Sequence, residues 1–368
     1  MKLATLLTLA MAGIGFAEST RVYIGTGADG IYTTELNLET GEMTGTKMAF
    51  SQRGTGFLEM RPDGKMLYST AQFEGGKGGV RAYRIDDDGS LHHGGKGTYN
   101  GRGLCHVSLD ATNKILLGAD YGGGKVASFA LDKKGAPGNA ITVNDHKGSS
   151  VNSKRQEGPH AHSFYAGPDN KFGYAPDLGI DKVMIYKLDL LRGSVEEVGF
   201  AQSPPGAGPR HMKFGKDGKQ AFVLNELKLS VSVYDRNPET GALKIKETVS
   251  VFEEGADGSN MSCSEIRISK DGKFAYAANR DLTDQRRDSV SVFEIGEGGK
   301  LKLIQVENCR LSIPRNINLD PSGKWLLVAG QKSNEVTSFK IDTGTGKLIF
   351  SGHRTPVPTA MCIEFARN

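Results

Sequence analysis

Apolar and polar positions along this chain fall into short runs rather than long helical stripes, and one kind of run returns seven times. GIYTTEL (30–36), GVRAYRI (79–85), KVASFAL (125–131), KVMIYKL (182–188), SVSVYDR (230–236), SVSVFEI (289–295) and EVTSFKI (335–341) each carry Ile or Val at the second position. Six of the seven carry Tyr or Phe at the fifth, Thr34 being the exception. β-Branched and aromatic residues in runs of this length predict strands. Ahead of six copies stands a turn ending in Lys and then a second apolar run, as in Lys65 before MLYST, Lys273 before FAYAANR and Lys324 before WLLVAGQ. The first copy has the run RVYIGTG from Arg21 without the turn. A further strand is predicted upstream of each turn, as in PRHMKF (209–214) and PRNINL (314–319), and a glycine-containing turn and a fourth strand follow each heptad.

The second-position residues recur every 46 to 59 positions, which suits a four-stranded propeller blade and is too long for leucine-rich or ankyrin units. Seven such units predict an all-β, seven-bladed β-propeller. The mature chain begins at a second strand, so the missing innermost strand of that blade is assigned to PTAMCIEF (358–365). N- and C-terminal strands sharing one blade would close the ring and leave no open seam. No linker divides the chain, so residues 18–368 are expected to form one domain.

Composition agrees with many tight turns, since Gly is abundant at 49 residues and Pro sparse at 13. A formal net charge of +4 with scattered Lys and Arg implies neither a nucleic-acid nor a membrane surface, and leaves acidic small molecules as partners. Lys2, the apolar run Leu3 to Phe16 and the small residues around Ala17 read as a secretory signal over residues 1–17. That run is shorter than the roughly 20 residues of a membrane span. The mature protein is therefore expected in the periplasm or secreted, as a monomer or weak homo-oligomer. Cys105, Cys263, Cys309 and Cys362 are widely spaced without a CxxC pair, which argues against zinc. One or two disulfides would be allowed in an oxidising compartment.

Propeller geometry then narrows the chemistry. The first two strands of a blade are antiparallel and joined at the Lys turn, so the start of the first and the end of the second meet at the opposite end of the channel. That end collects His106, then His160 and His162. The next unit adds Arg210, His211, Asn225 and Glu226, followed by Glu265, Asn279 and Arg280, and lastly Arg315 and Gln331. On an alternating strand His160 and His162 would face the same side. Arg210 and Arg280 on neighbouring blades form a potential clamp for a carboxylate or phosphate, because planar forks bind such groups bidentately. Glu226 between them is a candidate general base. Asp177 and Glu265 also read as ordinary blade-end residues. His211, Asn225, Asn279, Arg315, Gln331, His106 and Glu265 are the candidates for substrate contact. No third ligand accompanies the HxH pair, so no metal is assigned and no cofactor is expected. G-x-S-x-G and phosphate-binding Gly-rich motifs are missing, and Gly122-Gly123-Gly124 reads as a hairpin turn.

The motifs GPHAHS (158–163), YAPDLGIDKVMIYKL (174–188), GPRHMKF (208–214), DGKFAYAANR (271–280) and IPRNINLDPSGKWLLVAGQ (313–331) span most of residues 20 to 366. In combination the chain resembles the seven-bladed lactonases that include propeller-type 6-phosphogluconolactonase and the fungal carboxymuconate-lactonising enzyme. The resemblance implies a constellation of His, Arg, Glu and Arg, which falls on His160 or His162, Arg210, Glu226 and Arg280. It implies metal-free lactone hydrolysis, with arginines holding an acidic group and Glu226 or a histidine activating water. Of the two histidines, His162 is the expected participant, because it sits deeper along its strand. A phosphorylated sugar lactone is a cytosolic compound, so the signal sequence favours an unphosphorylated sugar-acid lactone or another acidic sugar derivative. The loops EGGKGG (74–79) and SSVNSKRQ (149–156) are expected to reshape the pocket. Two other activities fit the same residues: a lactonising cycloisomerase working in reverse, and a non-enzymatic binding propeller.

Overall fold

The computed structural model describes residues 18–367; the signal sequence assigned to residues 1–17 lies outside the described residues. Among the described residues, seven four-stranded antiparallel sheets stand around a central channel, with two single-turn 3₁₀ helices at Glu74–Gly76 and Glu297–Gly299. We number them blades 1 to 7 in the order of the heptads, which form the third strand of every blade.

The repeats read as nearly continuous apolar runs because the sheets pack face to face between blades, so second and third strands bury both sides. Trp325–Gly330 and Ile115–Asp120 are buried at every residue, whereas the outermost strand Leu243–Ser250 is not buried at any. Hydrophobic clusters accordingly straddle neighbouring blades. Val22, Ile24 and Leu36 of blade 1 pack with Trp325, Leu327 and Val336 of blade 7.

Blade 1 closes as expected. Ala360–Phe365 pairs antiparallel with Ser19–Thr26, Val22 facing Phe365 and Ile24 facing Ile363. Ile363 and Phe365 are almost fully buried, which contributes about 1.5–3 kcal/mol each. Side-chain bonds reinforce the seam: Trp325 Nε1 donates to Leu38 O at 2.9 Å and Ser338 Oγ to Gly41 O at 2.6 Å. All four cysteines are free thiols, three of them buried, so no disulfide forms among them.

One expected strand is not regular. In blade 4 the innermost strand shrinks to Tyr165–Ala166, with a single bridge between Ala161 and Asp177. His160 and His162 therefore sit on an irregular segment, and period-two alternation does not govern them. This segment ends a long connection, residues 146–164, that crosses the channel end opposite the Lys turns. It is anchored by polar contacts: Gln156 Nε2 donates to Leu178 O and Asp181 Oδ1, and buried Asp177 accepts from His160 N and pairs with His146 at 2.6 Å. A Cβ on Gly179 would lie 1.8 Å from Gly158 O, so the turn and the GPHAHS loop approach too closely for any side chain there.

Candidate active site

The end of blade 5's second strand turns Glu226 into the channel, where its carboxylate collects cations from three directions. Arg210 Nε, from the innermost strand of the same blade, donates to Oε2 at 2.9 Å. Arg280 Nη2, from the second strand of blade 6, lies 3.0 Å from the same oxygen. Arg155 Nη2, from the 146–164 connection, donates to Oε1 at 2.7 Å and to Tyr121 Oη at 3.2 Å. Backbone carbonyls fix two of these forks: Arg210 Nη1 donates to Ser264 O, and Arg280 Nη2 to Cys263 O at 2.7 Å.

Arg315, on the innermost strand of blade 7, adds a fourth guanidinium. It has no hydrogen-bond or carboxylate partner among the described residues and is partly open to the channel. Burial and the neighbouring Arg210 and Arg280 push it down to about 9. Four guanidiniums thus surround one carboxylate, a surplus of positive charge at a channel end that would attract an anion.

These charges decide which groups can accept a proton. Burial acts to raise the pKa of Glu226, but Arg280, Arg210 and Arg155 outweigh it and hold the carboxylate well below its usual range. Both Glu226 oxygens are engaged by these guanidiniums, which counts against Glu226 as the base. His162 Nε2 lies 4.0 Å from Glu226 Oε2. Burial, Arg210, His211 and Arg315 all keep its imidazole neutral, well below the usual histidine range. His160 sits at the rim instead, stacked on Tyr121 with ring centroids 4.5 Å apart and Nδ1 3.0 Å from Tyr121 O.

The remaining expected residues separate into two groups. His211 and His106 lie one level deeper, with ring centroids 5.3 Å apart, and His211 Nδ1 is 3.1 Å from Glu265 Oε2 without the alignment of a hydrogen bond. Glu265 is buried and accepts from Asn316 Nδ2 at 2.7 Å. Asn225 and Asn279 are occupied within their own blades: each amide donates to two third-strand serines, Ser230 and Ser232 in one case and Ser289 and Ser291 in the other. Gln331 lies in the turn after blade 7's second strand and makes no side-chain hydrogen bond among the described residues. Arg155 and Tyr121 escaped the strand-based reading because neither sits on a strand; the unusual length of the 146–164 connection was the available signal.

Comparison with known proteins places these residues in a wider set. The family model described as "Lactonase, 7-bladed beta-propeller" matches residues 21–365. A 6-phosphogluconolactonase of Bacillus subtilis is 33% identical over 351 residues, 93% of this chain and 97% of that protein. Another 6-phosphogluconolactonase, from Formosa agariphila, is 32% identical over 87% of this chain and 90% of its own. Among solved structures, a putative 6-phosphogluconolactonase of Bacteroides fragilis superposes with a TM-score of 0.83 at 29% identity, covering 94% of this chain and 98% of that one. The periplasmic gluconolactonase of Pseudomonas aeruginosa shares the fold, with a TM-score of 0.87 at 24% identity over 95% and 99% of the two chains.

Proposed function

Because the chain belongs to the seven-bladed β-propeller lactonase family, we propose that it opens a sugar-acid lactone with water at the arginine-rich channel end. The observation that carries this reading is Arg315, an uncommitted guanidinium beside a neutral imidazole and an arginine-clamped carboxylate. Arg315 takes the acidic group of the substrate or the developing oxyanion. Glu226 fixes the orientation of Arg155, Arg210 and Arg280 and keeps their forks preorganised.

In the reaction His162 accepts a proton from the attacking water as the water oxygen bonds to the lactone carbonyl carbon. The carbonyl electrons move onto oxygen, where the cationic wall stabilises them. When the tetrahedral species collapses, the bond to the ring oxygen breaks and His162 returns the proton to that oxygen. The products are a free hydroxyl and a carboxylic acid that ionises at neutral pH. No metal or cofactor enters this scheme, so the rate is expected to survive dialysis against EDTA.

Residues 1–17 are read as an export signal, and the mature chain is assigned to the periplasm or the exterior. The substrate class is then an unphosphorylated sugar-acid lactone. Proton release from a panel of phosphorylated and unphosphorylated lactones tests both parts of the reading. Hydrolysis of none of them by the folded protein would overturn the activity, and a strict requirement for the phosphate would overturn the substrate class.

A further inference from the structure

The channel does not run through. Below the active site Phe57, His106 and His211 close it, with ring centroids 4.3 to 5.8 Å apart, beside buried Glu265 and Asn316. Beneath this plug is a separate cavity of about 440 Å³, at the Lys-turn end of the blades.

Period-two alternation along the innermost strands brings four charged residues to one level of that cavity. Glu364 and Glu59 come from blades 1 and 2, which are neighbours. Lys213 and Arg267 come from blades 5 and 6, also neighbours, on the other side of the ring. Tyr165 and Asn318 stand between the two pairs. The ring is thus polarised, acidic on one side and basic on the other. Lys216 and Lys270 extend the basic side at the rim, and Arg367 stands beyond Glu364.

The opposite charges do not neutralise one another directly. Among the described residues no ion pair within 4.0 Å joins Glu59 or Glu364 to Lys213 or Arg267; Arg267 reaches only Glu265, at 3.7 Å. Lys213 Nζ lies over the Tyr165 ring, 4.3 Å from its centroid. Burial and the facing Glu364 raise the pKa of Glu59, while burial and Arg267 lower that of Lys213. Charge on this partly buried ring is costly, and in the unliganded protein the acidic pair relieves it by holding a proton. A bound group that supplies both signs would displace that proton and pair each side.

We propose that this cavity binds a small aminocarboxylate zwitterion, its carboxylate against Lys213 and Arg267 and its ammonium between Glu59 and Glu364. A simple anion would pair only the basic side and a simple cation only the acidic side. Because blades 3 and 4 on one side and blade 7 on the other separate the two pairs, the ligand class is an ω-amino acid, whose charges are likewise separated.

Isothermal titration calorimetry of the mature protein with glycine, 4-aminobutyrate and 6-aminohexanoate, and with butyrate and butylamine as single-charge controls, tests the assignment. One saturable site is expected for an ω-amino acid, with the controls weaker by at least about tenfold. Lys213→Met and Glu59→Gln should each abolish binding while lactone hydrolysis continues, which also reports that the variants fold. His162→Asn, at the other end of the channel, should leave it intact. Equal binding of butyrate, loss of binding in His162→Asn, or no binding of any aminocarboxylate at millimolar concentration would overturn the proposal.

Discussion

At the scale of single residues, the environment divides roles that residue type alone leaves open. Glu226 and His162 are both plausible bases by chemistry, but one is clamped by three arginines and the other is held neutral beside them. His162→Asn should therefore lower kcat by about 10²- to 10⁴-fold, the usual contribution of a general base. The pH profile provides a check independent of mutation. The acidic limb of kcat/KM reports the free enzyme's base, so it should fall well below pH 6.5, the ordinary histidine value. A limb centred at or above that value would exclude His162. Arg315→Met removes the uncommitted fork, so KM for an acidic lactone should rise more than KM for a neutral one; an equal rise would show that Arg315 contacts no acidic group. What was legible at this scale was the set of residues, because strand ends in a propeller converge by topology. What was not legible was the direction of each pKa, which burial and the distances to Arg210, Arg280 and Arg315 set, with Arg155 added from a loop in the case of Glu226.

At the scale of elements, the strands were readable because each repeat is an apolar run bounded by turns. The innermost strand of blade 4 was misread because GPHAHS has the polar alternation of a strand yet is held by loop contacts, His160 N to Asp177 and Gly158 against Gly179. The same connection delivers Arg155. Its side chain is 38% exposed, so its pairing with Glu226 is discounted for solvent screening. Arg155→Met should cost about 1 kcal/mol or less of transition-state stabilisation, under roughly tenfold in kcat/KM. A larger loss would mean that Arg155 touches the substrate. A second recurring element was invisible in sequence: second-strand tyrosines bolt four of the seven blades to a turn of the next. Tyr23, Tyr68, Tyr174 and Tyr276 donate to the carbonyls of Gly89, Gly135, Gly241 and Gly346 at 2.9 to 3.0 Å. Tyr276→Phe leaves the Gly346 carbonyl without this donor and should destabilise by about 1 kcal/mol in urea unfolding. An unchanged midpoint would show that the contact between blades does not need the hydroxyl.

At the scale of the whole molecule, the channel plug ties stability to pH, because a closed ring of seven blades leaves its central imidazoles no route to solvent without unfolding. Burial and the nearby His211 and Lys213 lower the pKa of His106 well below 6.5, and burial lowers that of His211 to about 3. The unfolded chain protonates these groups as pH falls through 6.5, while the folded chain does not. Below that value the unfolded state binds more protons, so each such histidine makes stability fall as pH falls, by up to about 1.4 kcal/mol per pH unit. Glu59 and Glu364, whose pKa values are raised, act in the opposite sense over the same range, since the folded state holds their protons where the unfolded state has lost them. The net slope of the native protein is therefore a difference, and a variant isolates one part of it. His106→Leu replaces a fully buried imidazole that packs on Phe57 and Tyr165 with an apolar side chain suited to the same contacts. Whatever its absolute stability, its unfolding free energy should gain on that of the native protein as pH falls from about 6.5 to 5, by up to one proton's worth per unit. Parallel curves over that range would show that His106 takes up its proton in the folded state, and that the plug is open to water.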